Sequence, residues 1–236
     1  FSLSLVLMIL AITGLSQNQI SLKYHRGPLL KIHPDFPEVP NLPTNVELDL
    51  GFHLSGKRSW HTLVGSPELH LSAMWLHLGD TKVLGSGLTL LPWLDWEVWS
   101  RKRTTLKFGA GISFVYLTRI FDRVDNPQNN VLGTRFNNIT YLQLALQYDL
   151  SKMTQAELVI SADHISNANT GNPNLGANIP GVFVGVRWRN SSENISNLKK
   201  ASGRSDFSTQ WGLGIRIGAG RVANLRAGGP RYGAYS

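Results

Sequence analysis

The sequence predicts an all-β protein: an eight-stranded antiparallel outer-membrane β-barrel with an irregular N-terminal segment. Apolar and polar residues alternate with a period of two from residue 45 onward, which indicates strands with one apolar face. Several of the alternating runs are 10 to 14 residues long, whereas soluble strands usually have about five or six residues. The chain also opens on an apolar run of the length found in export signals.

The first alternating run, residues 45–54, illustrates the pattern. Its even positions, such as Val46 and Leu48, are apolar, and the odd positions between them include Glu47 and Asp49. Similar runs predict strands at residues 67–78, 87–99, 104–117, 137–150, 155–166, 180–189 and 208–218. Together they predict one β-barrel domain over residues 45–220.

Periodicity does not distinguish the inside of a barrel from its outside, so a soluble sandwich or a lipocalin-like barrel is the alternative. Strand length favours the membrane barrel, because a tilted strand of about 9 to 11 residues crosses a bilayer. Aromatic residues near the ends of the predicted strands favour it too, since interfacial girdles have this character. These residues are Trp60, Trp75, Trp93, Trp96, Trp99, Tyr116, Tyr148 and Trp188.

The two ends of the chain lack the strand pattern. Residues 1–18 are interpreted as the remnant of a signal peptide, and a membrane anchor is the alternative, although polar residues shorten the apolar run. Residues 19–44 are expected to be irregular, since the stretch from 23 to 44 holds five of the eleven prolines. Residues 221–236 form an unassigned tail.

Composition excludes several classes of protein. The 236 residues include no cysteine, which rules out disulfide frameworks, thiolate metal sites and thiol catalysis. The formal charge of +8 is dispersed over short basic pairs and single residues near predicted turns, so no nucleic-acid partner is expected. Basic turns beside the anionic headgroups of a membrane match this distribution, and ordinary solvated turns are the alternative.

One strand, QAELVISADHIS at residues 155–166, ends in an unexpected polar group. His164 and Ser166 fall on its apolar face, with Cα atoms about 6.5 to 7 Å apart. A serine hydroxyl can lean from there toward an imidazole, as an activated nucleophile requires. Asp163 points to the opposite face and is interpreted as an interior charge. The alternative for the pair is a polar strand end at the membrane interface.

The segment HISNANTGNPNLGANIP resembles the active-site segment of the PagL family of outer-membrane lipid A deacylases. Much of the remainder, from about residue 22 to 189, is similar to related Bacteroidetes proteins described as acyloxyacyl hydrolases. The matching pieces are KYHRG, IHPD, WHTLVGSPELHLS, LTRIFDRVDNPQNNVLGTRFN and PNLGANIPGVFVGVRW.

The resemblance implies roles for five residues. Ser166 matches the nucleophile and His164 the general base, while Asn167 and Asn174 match asparagines of the motif, of which Asn174 corresponds to a donor of the oxyanion hole. Asn178 departs from the family, which has Glu at this position to orient the histidine. An amide oxygen can still accept a hydrogen bond from imidazole, but it stabilises the imidazolium less. For each Asn, turn formation in NANTGNPNLG is the alternative.

The sequence therefore predicts a serine esterase that removes acyl chains from lipid A or related lipopolysaccharide. We expect neither a cofactor nor a metal, since the histidines show no metal-ligand spacing such as HExxH. The expected location is the bacterial outer membrane. A non-catalytic small barrel with a structural or binding role is the alternative function.

Overall fold

The structure, a computed structural model, describes residues 19–53, 67–189, 219–223 and 231–235. Eight strands pair in sequence order, all antiparallel, and β8 pairs with β1 to close a barrel. The strands are β1 (Gln19–Arg26), β2 (Thr44–His53), β3 (Glu68–His77), β4 (Ser86–Arg101), β5 (Thr104–Leu117), β6 (Phe136–Asp149), β7 (Thr154–Ser166) and β8 (Ala177–Arg189). The predicted fold class, an eight-stranded antiparallel barrel, is confirmed.

The position of one strand was predicted wrongly. Residues 19–26 were expected to be irregular, but they form β1, which pairs with both β2 and β8. Their alternation of Ile20, Leu22 and Tyr24 with polar residues is short and lies between the apolar run at the start of the sequence and a proline-rich stretch, and this hides the strand in the sequence. The strand predicted at 208–218 lies outside the described residues.

Two short strands lie in the C-terminal part of the chain. β9 (Ala219–Ala223) and β10 (Arg231–Tyr235) pair antiparallel in a separate two-stranded sheet. Sequence analysis had left residues 221–236 unassigned, because they lack the strand period. Backbone pairing between two short segments does not require an alternating apolar face, which is the signal that sequence analysis detects.

The barrel turns its apolar face outward. On β2, Val46 and Leu48 are 40% and 44% exposed, whereas Glu47 and Asp49 between them are buried. The same alternation recurs along the other barrel strands. An apolar exterior around a polar interior is the arrangement of a transmembrane barrel and the reverse of a lipocalin.

Ion pairs and hydrogen bonds connect the strands across the interior. Lys23 Nζ lies 2.8 Å from Glu47 Oε1, and the Ser72 hydroxyl has two carboxylate acceptors for its single hydrogen, Glu47 at 2.7 Å and Asp49 at 2.9 Å. Arg187 contacts Glu157 at 2.8 Å. Charges buried in this way require partners, and here each partner is supplied by another strand.

Trp93 does not belong to an interfacial aromatic girdle, contrary to the prediction. Its side chain lies inside the barrel, 2% exposed, where the indole donates to Ser72 Oγ at 2.8 Å and stacks on His70. Glycines at 109 and 111 provide the space, because a Cβ at either position would lie within 3 Å of Trp93. Trp75, Trp99, Tyr116, Tyr148 and Trp188 are each 40 to 49% exposed, and Trp60 lies outside the described residues.

The two ends of the barrel differ in the length of the connections that join the strands. Among the connections that lie wholly within the described residues, the tight turns 102–103 and 150–153 are at one end, and loops 27–43, 78–85, 118–135 and 167–176 are at the other. We call the second the loop end. Its loops bury an apolar cluster that includes Phe36, Val131 and Leu132, packed above the barrel interior. Among the described residues, no helix is long and apolar enough to cross a membrane.

Replacing Leu144 with Arg should destabilise the barrel. Leu144 faces outward near the middle of β6, opposite Phe108 and Ile160 on the neighbouring strands. A cation on the lipid face near the bilayer midplane costs about 2 to 4 kcal/mol. We expect a fall of that size in the free energy of unfolding, measured by urea titration in lipid vesicles, with Leu144→Ile as the control. Equal stability of Leu144→Arg and wild type would contradict the assignment of the lipid face.

Candidate functional site

A polar patch interrupts the outward face of the barrel at the loop end. It consists of Asn138, Thr140, His164, Ser166 and Asn178, which lie on the adjacent strands β6, β7 and β8. Away from strand ends, the other outward-facing side chains on the described part of β1 to β8 are apolar. Polar groups on a lipid-facing surface are costly and usually functional. The patch is therefore the candidate site.

His164 and Asn178 are held together by the pairing of β7 with β8. The two residues are direct cross-strand partners, and His164 Nδ1 lies 2.8 Å from Asn178 Oδ1. Since an amide oxygen only accepts, the imidazole donates from Nδ1–H and its Nε2 keeps a free lone pair. This is the tautomer that a general base needs.

Ser166 lies on the same face as His164, two residues further along β7. Both side chains are half-buried, and no hydrogen bond joins them in the described structure. Directly after Ser166 the chain turns sharply, because Ala168 and Asn169 adopt positive φ angles of 51° and 60°. A non-glycine residue in this region carries strain, and the strained turn ends β7 immediately after the serine.

The two motif asparagines shape the loop that follows. Asn167 is 4% exposed, and its side-chain amide donates to the Gly171 carbonyl at 2.8 Å, so it points away from the polar patch. Asn174 Oδ1 accepts from the Asn167 backbone N–H at 3.0 Å, and its Nδ2 lies 3.4 Å from Asn169 Oδ1. Both residues hold the loop 167–176 against the end of β7.

Gly176 closes this loop over the site. It has a φ of +75°, and a Cβ there would lie 3.2 Å from His164 Cε1 and 3.8 Å from Ser166 Cβ. Its N–H donates to the Val131 carbonyl at 3.2 Å, which links the loop to residues 118–135. The glycine allows the backbone to approach both candidate residues closely.

The N-terminal segment supports Asn178 from the other side. The Leu30 N–H donates to the Asn178 carbonyl at 2.9 Å.

Within loop 118–135, the backbone N–H groups of Asp125 and Val124 donate to the Asp122 carboxylate. These hydrogen bonds hold the pKa of that exposed group below its usual value. The loops around the site are thus ordered by specific hydrogen bonds.

Asp163 takes no part in the polar patch. It is 2% exposed and faces the interior, where Asn45 Nδ2 donates to its Oδ2 at 3.5 Å. The interpretation of Asp163 as an interior charge agrees with this position. Because it lies on the opposite face of β7, it does not orient His164.

One group of potential metal ligands lies inside the barrel, among the residues that the structure describes. Glu68, His70 and Asp95 offer ligand atoms within 4.8 Å of one another. Spacing in the sequence did not reveal this group, because β3 and β4 bring its members together. The Lys107 ammonium contacts Glu68 and lies 3.2 Å from Asp95, so a cation from the chain itself already neutralises these carboxylates.

Asn138 and Thr140 were missed as members of the site. Asn138 is the cross-strand partner of Ser166, and Thr140 is that of His164. Their signal in the sequence is two polar residues at even positions of a strand whose later even positions, Leu142 and Leu144, are apolar. Their proximity to His164 and Ser166 depends on strand register, which the sequence alone does not provide.

These features define a class of protein: a transmembrane β-barrel whose candidate site opens on the lipid-facing side. The family model described as lipid A 3-O-deacylase (PagL) matches residues 44–187. The chain therefore belongs to the PagL family, and the protein is located in the bacterial outer membrane. The predicted resemblance to the PagL family is confirmed.

Comparison with solved structures finds three to which the chain is similar. The crystal structure of the outer membrane enzyme PagL is similar, with 17% identity, a TM-score of 0.47 and coverage of 70% of this chain and 97% of that one. Neisserial surface protein A matches with 7% identity, a TM-score of 0.50, and coverage of 72% and 96%. The N-terminal barrel domain of Pseudomonas aeruginosa OprF has 12% identity, a TM-score of 0.41, and coverage of 72% and 98%. No curated protein matches the chain.

The tautomer of His164 tests the site geometry without any assay of activity. We expect the neutral ring to carry its proton on Nδ1, because Asn178 Oδ1 accepts from that nitrogen. The measurement is the 15N chemical shifts of the imidazole in detergent micelles, assigned by comparison with His164→Gln. Asn178→Ala should shift the population toward the Nε2–H form. A ring that is protonated on Nε2 in the wild type would contradict the geometry.

Proposed function

We propose that the protein is a lipid A deacylase that hydrolyses an ester-linked acyl chain with Ser166 as nucleophile and His164 as general base. The observation that supports it most directly is the 2.8 Å contact between His164 Nδ1 and Asn178 Oδ1. It occurs beside Ser166, within a polar patch on a face that is otherwise apolar. Membership of the lipid A 3-O-deacylase family supports the choice of substrate.

The proposed reaction has two steps. Ser166 Oγ attacks the ester carbonyl and its proton passes to His164 Nε2; the tetrahedral intermediate then collapses as His164 returns the proton to the departing sugar oxygen. Water next attacks the acyl-serine ester while His164 takes its proton; the bond between the acyl carbon and Ser166 Oγ then breaks, His164 returns the proton to Ser166 Oγ, and the free fatty acid leaves. These two steps require the Ser166 side chain to rotate into hydrogen-bond reach of His164, as catalytic pairs often do on binding substrate.

Asn178 would orient the imidazole in place of the acid found in the family. Its amide oxygen holds the Nδ1–H tautomer, although it stabilises the imidazolium less than a carboxylate does. The proposed oxyanion donor is Asn174 or a nearby backbone N–H. Asn174 Nδ2 has two hydrogens, and only one is directed at Asn169. Asn167 would contribute through the loop that carries Asn174.

The position of the site suits an outer-leaflet lipid. Outer-membrane barrels have short turns on the periplasmic side and longer loops outside, so the loop end, with Ser166 and His164, would face outward. Lipid A would then reach the patch laterally within the membrane. Neither a cofactor nor a metal takes part in the proposed chemistry.

The decisive experiment is the mass of purified lipid A before and after incubation with the folded protein. We expect a decrease equal to one acyl chain and the appearance of the corresponding fatty acid. Unchanged lipid A would instead favour a non-catalytic barrel with a structural or binding role.

Replacing Ser166 with Ala should abolish deacylation, and His164→Ala should be equally severe. We expect a loss of at least about 10³-fold in kcat/KM, since removal of either member disables the pair. Both side chains face outward and pack little, so the folded fraction, judged by altered gel mobility of unheated samples, should match wild type. Fatty acid release by Ser166→Ala near the wild-type rate would remove the nucleophile assignment.

Asn178 should matter less than the nucleophile. Asn178→Ala removes the acceptor for His164 Nδ1 and should lower the rate by a smaller factor than Ser166→Ala. Asn178→Glu restores the acid of the family and should maintain or raise the rate, because a carboxylate stabilises the imidazolium. Initial rates are compared at equal folded fraction. If both variants equal wild type, Asn178 has no place in the mechanism.

A further inference from the structure

The β6 half of the polar patch has no role in the proposed reaction. Asn138 and Thr140 lie directly opposite Ser166 and His164, and both are half-buried on the outward face. Replacing them with apolar residues would suit a lipid-facing surface better. Their presence therefore calls for a function.

Proximity to the end of the strand does not account for them. Asn138 is the third residue from the loop end of β6; at the same position β1, β2, β3 and β4 have the apolar or aromatic residues Tyr24, Val46, Trp75 and Leu88. On the adjacent β5, the register partners of Asn138 and Thr140 are Phe114 and Ile112, which are 72% and 62% exposed. At this distance from the loop end, polar outward-facing side chains thus occur on the strands around Ser166 and His164 and not on the other strands compared here.

The two side chains form an oriented hydrogen-bonding unit. The Thr140 hydroxyl donates to Asn138 Oδ1 at 3.2 Å, and Asn138 Nδ2 donates to the Ser113 carbonyl at 3.2 Å. A primary amide has two donor hydrogens and can accept more than one bond. Each end of the Asn138 amide therefore keeps one hydrogen-bonding position, and the Thr140 oxygen keeps its lone pairs.

We propose that Asn138 and Thr140 form a substrate-binding subsite for the hydroxyl and amide groups of the acylated amino sugar beside the scissile ester. An amide or hydroxyl both donates and accepts, which matches the positions left free on Asn138 and Thr140. Binding of the sugar on β6 places the ester over β7, within reach of Ser166. Phe114 and Ile112 border the subsite on β5 and offer an apolar surface to the acyl chains.

This inference rests on the proposed function and specifies how the substrate is selected. Discrimination would come from the sugar, since an ester without hydrogen-bonding groups gains nothing from Asn138. A site that hydrogen-bonds its substrate rejects analogues that lack the partner groups. The subsite therefore predicts a preference for lipid A over simple esters that depends on Asn138 and Thr140.

The first arm of the test measures selectivity, defined as kcat/KM for purified lipid A divided by kcat/KM for a p-nitrophenyl acyl ester. We expect Asn138→Leu to lower this ratio about tenfold, as loss of one hydrogen bond to a neutral group would. Thr140→Val should lower it by less, and Thr140→Ser should restore it. Leu142→Val, the next outward position on β6, is the matched control and should leave the ratio unchanged.

The second arm measures binding in the Ser166→Ala background and so does not depend on turnover. Asn138→Leu should weaken the binding of purified lipid A in detergent micelles about tenfold, at equal folded fraction. If wild type hydrolyses no ester, the proposed function fails, but this arm still tests the subsite. The subsite is refuted if Asn138→Leu leaves lipid A binding unchanged, if Ser166→Ala binds no lipid A, or if both kcat/KM values fall in parallel.

Discussion

The structure depends on one constraint: a chain within a bilayer must satisfy its own backbone hydrogen bonds, because hydrocarbon offers no partner. The pairing of β8 with β1 meets this constraint by removing both edges of the sheet. β1 is only eight residues long, yet without it β2 and β8 would each expose unpaired N–H and C=O groups to lipid. Closure also fixes the register of every strand, and with it the side of the barrel on which each side chain lies.

Strict alternation then separates two environments. Many interior positions hold charged side chains, and the ion pairs of Lys23 with Glu47 and of Arg187 with Glu157 each join two different strands. Such an interior leaves little freedom for the strands to slide, because a shift of one residue would move these charges into lipid. The polar patch is therefore displayed on strands whose register is fixed, and the hydrogen bonds of Asn167 and Asn174 hold loop 167–176 beside it.

An amide at position 178, where the resemblance implied an acid, is consistent with a lipid-facing site. A carboxylate at position 178 would support the imidazolium strongly, but it would also place a second ionisable group on the outward face. Asn178 holds the same tautomer of His164 without adding a charge. In the proposed reaction, Asn178 therefore stabilises the His164 imidazolium less than a carboxylate would, but the free-energy cost of placing a further charged group on the lipid-facing surface is avoided.

The sequence by itself determined the fold class and the alternation of apolar and polar positions, because a period of two is a property of neighbouring residues. For the same reason it placed His164 and Ser166 on one face of a strand, whereas the role of Asn178 came from the resemblance of a local motif. Strand length and aromatic positions favoured an outward apolar face, and the exposure of the side chains in the structure decided it. Only the tertiary structure decided which segments close the barrel, since β1 is recognised by its partners β2 and β8 and not by its own pattern. The same holds for Trp93, which the interior accommodates through distant glycines. Asn138 and Thr140 joined the site for the same reason: residues that lie about 25 positions apart become neighbours only when antiparallel pairing sets the register between β6 and β7.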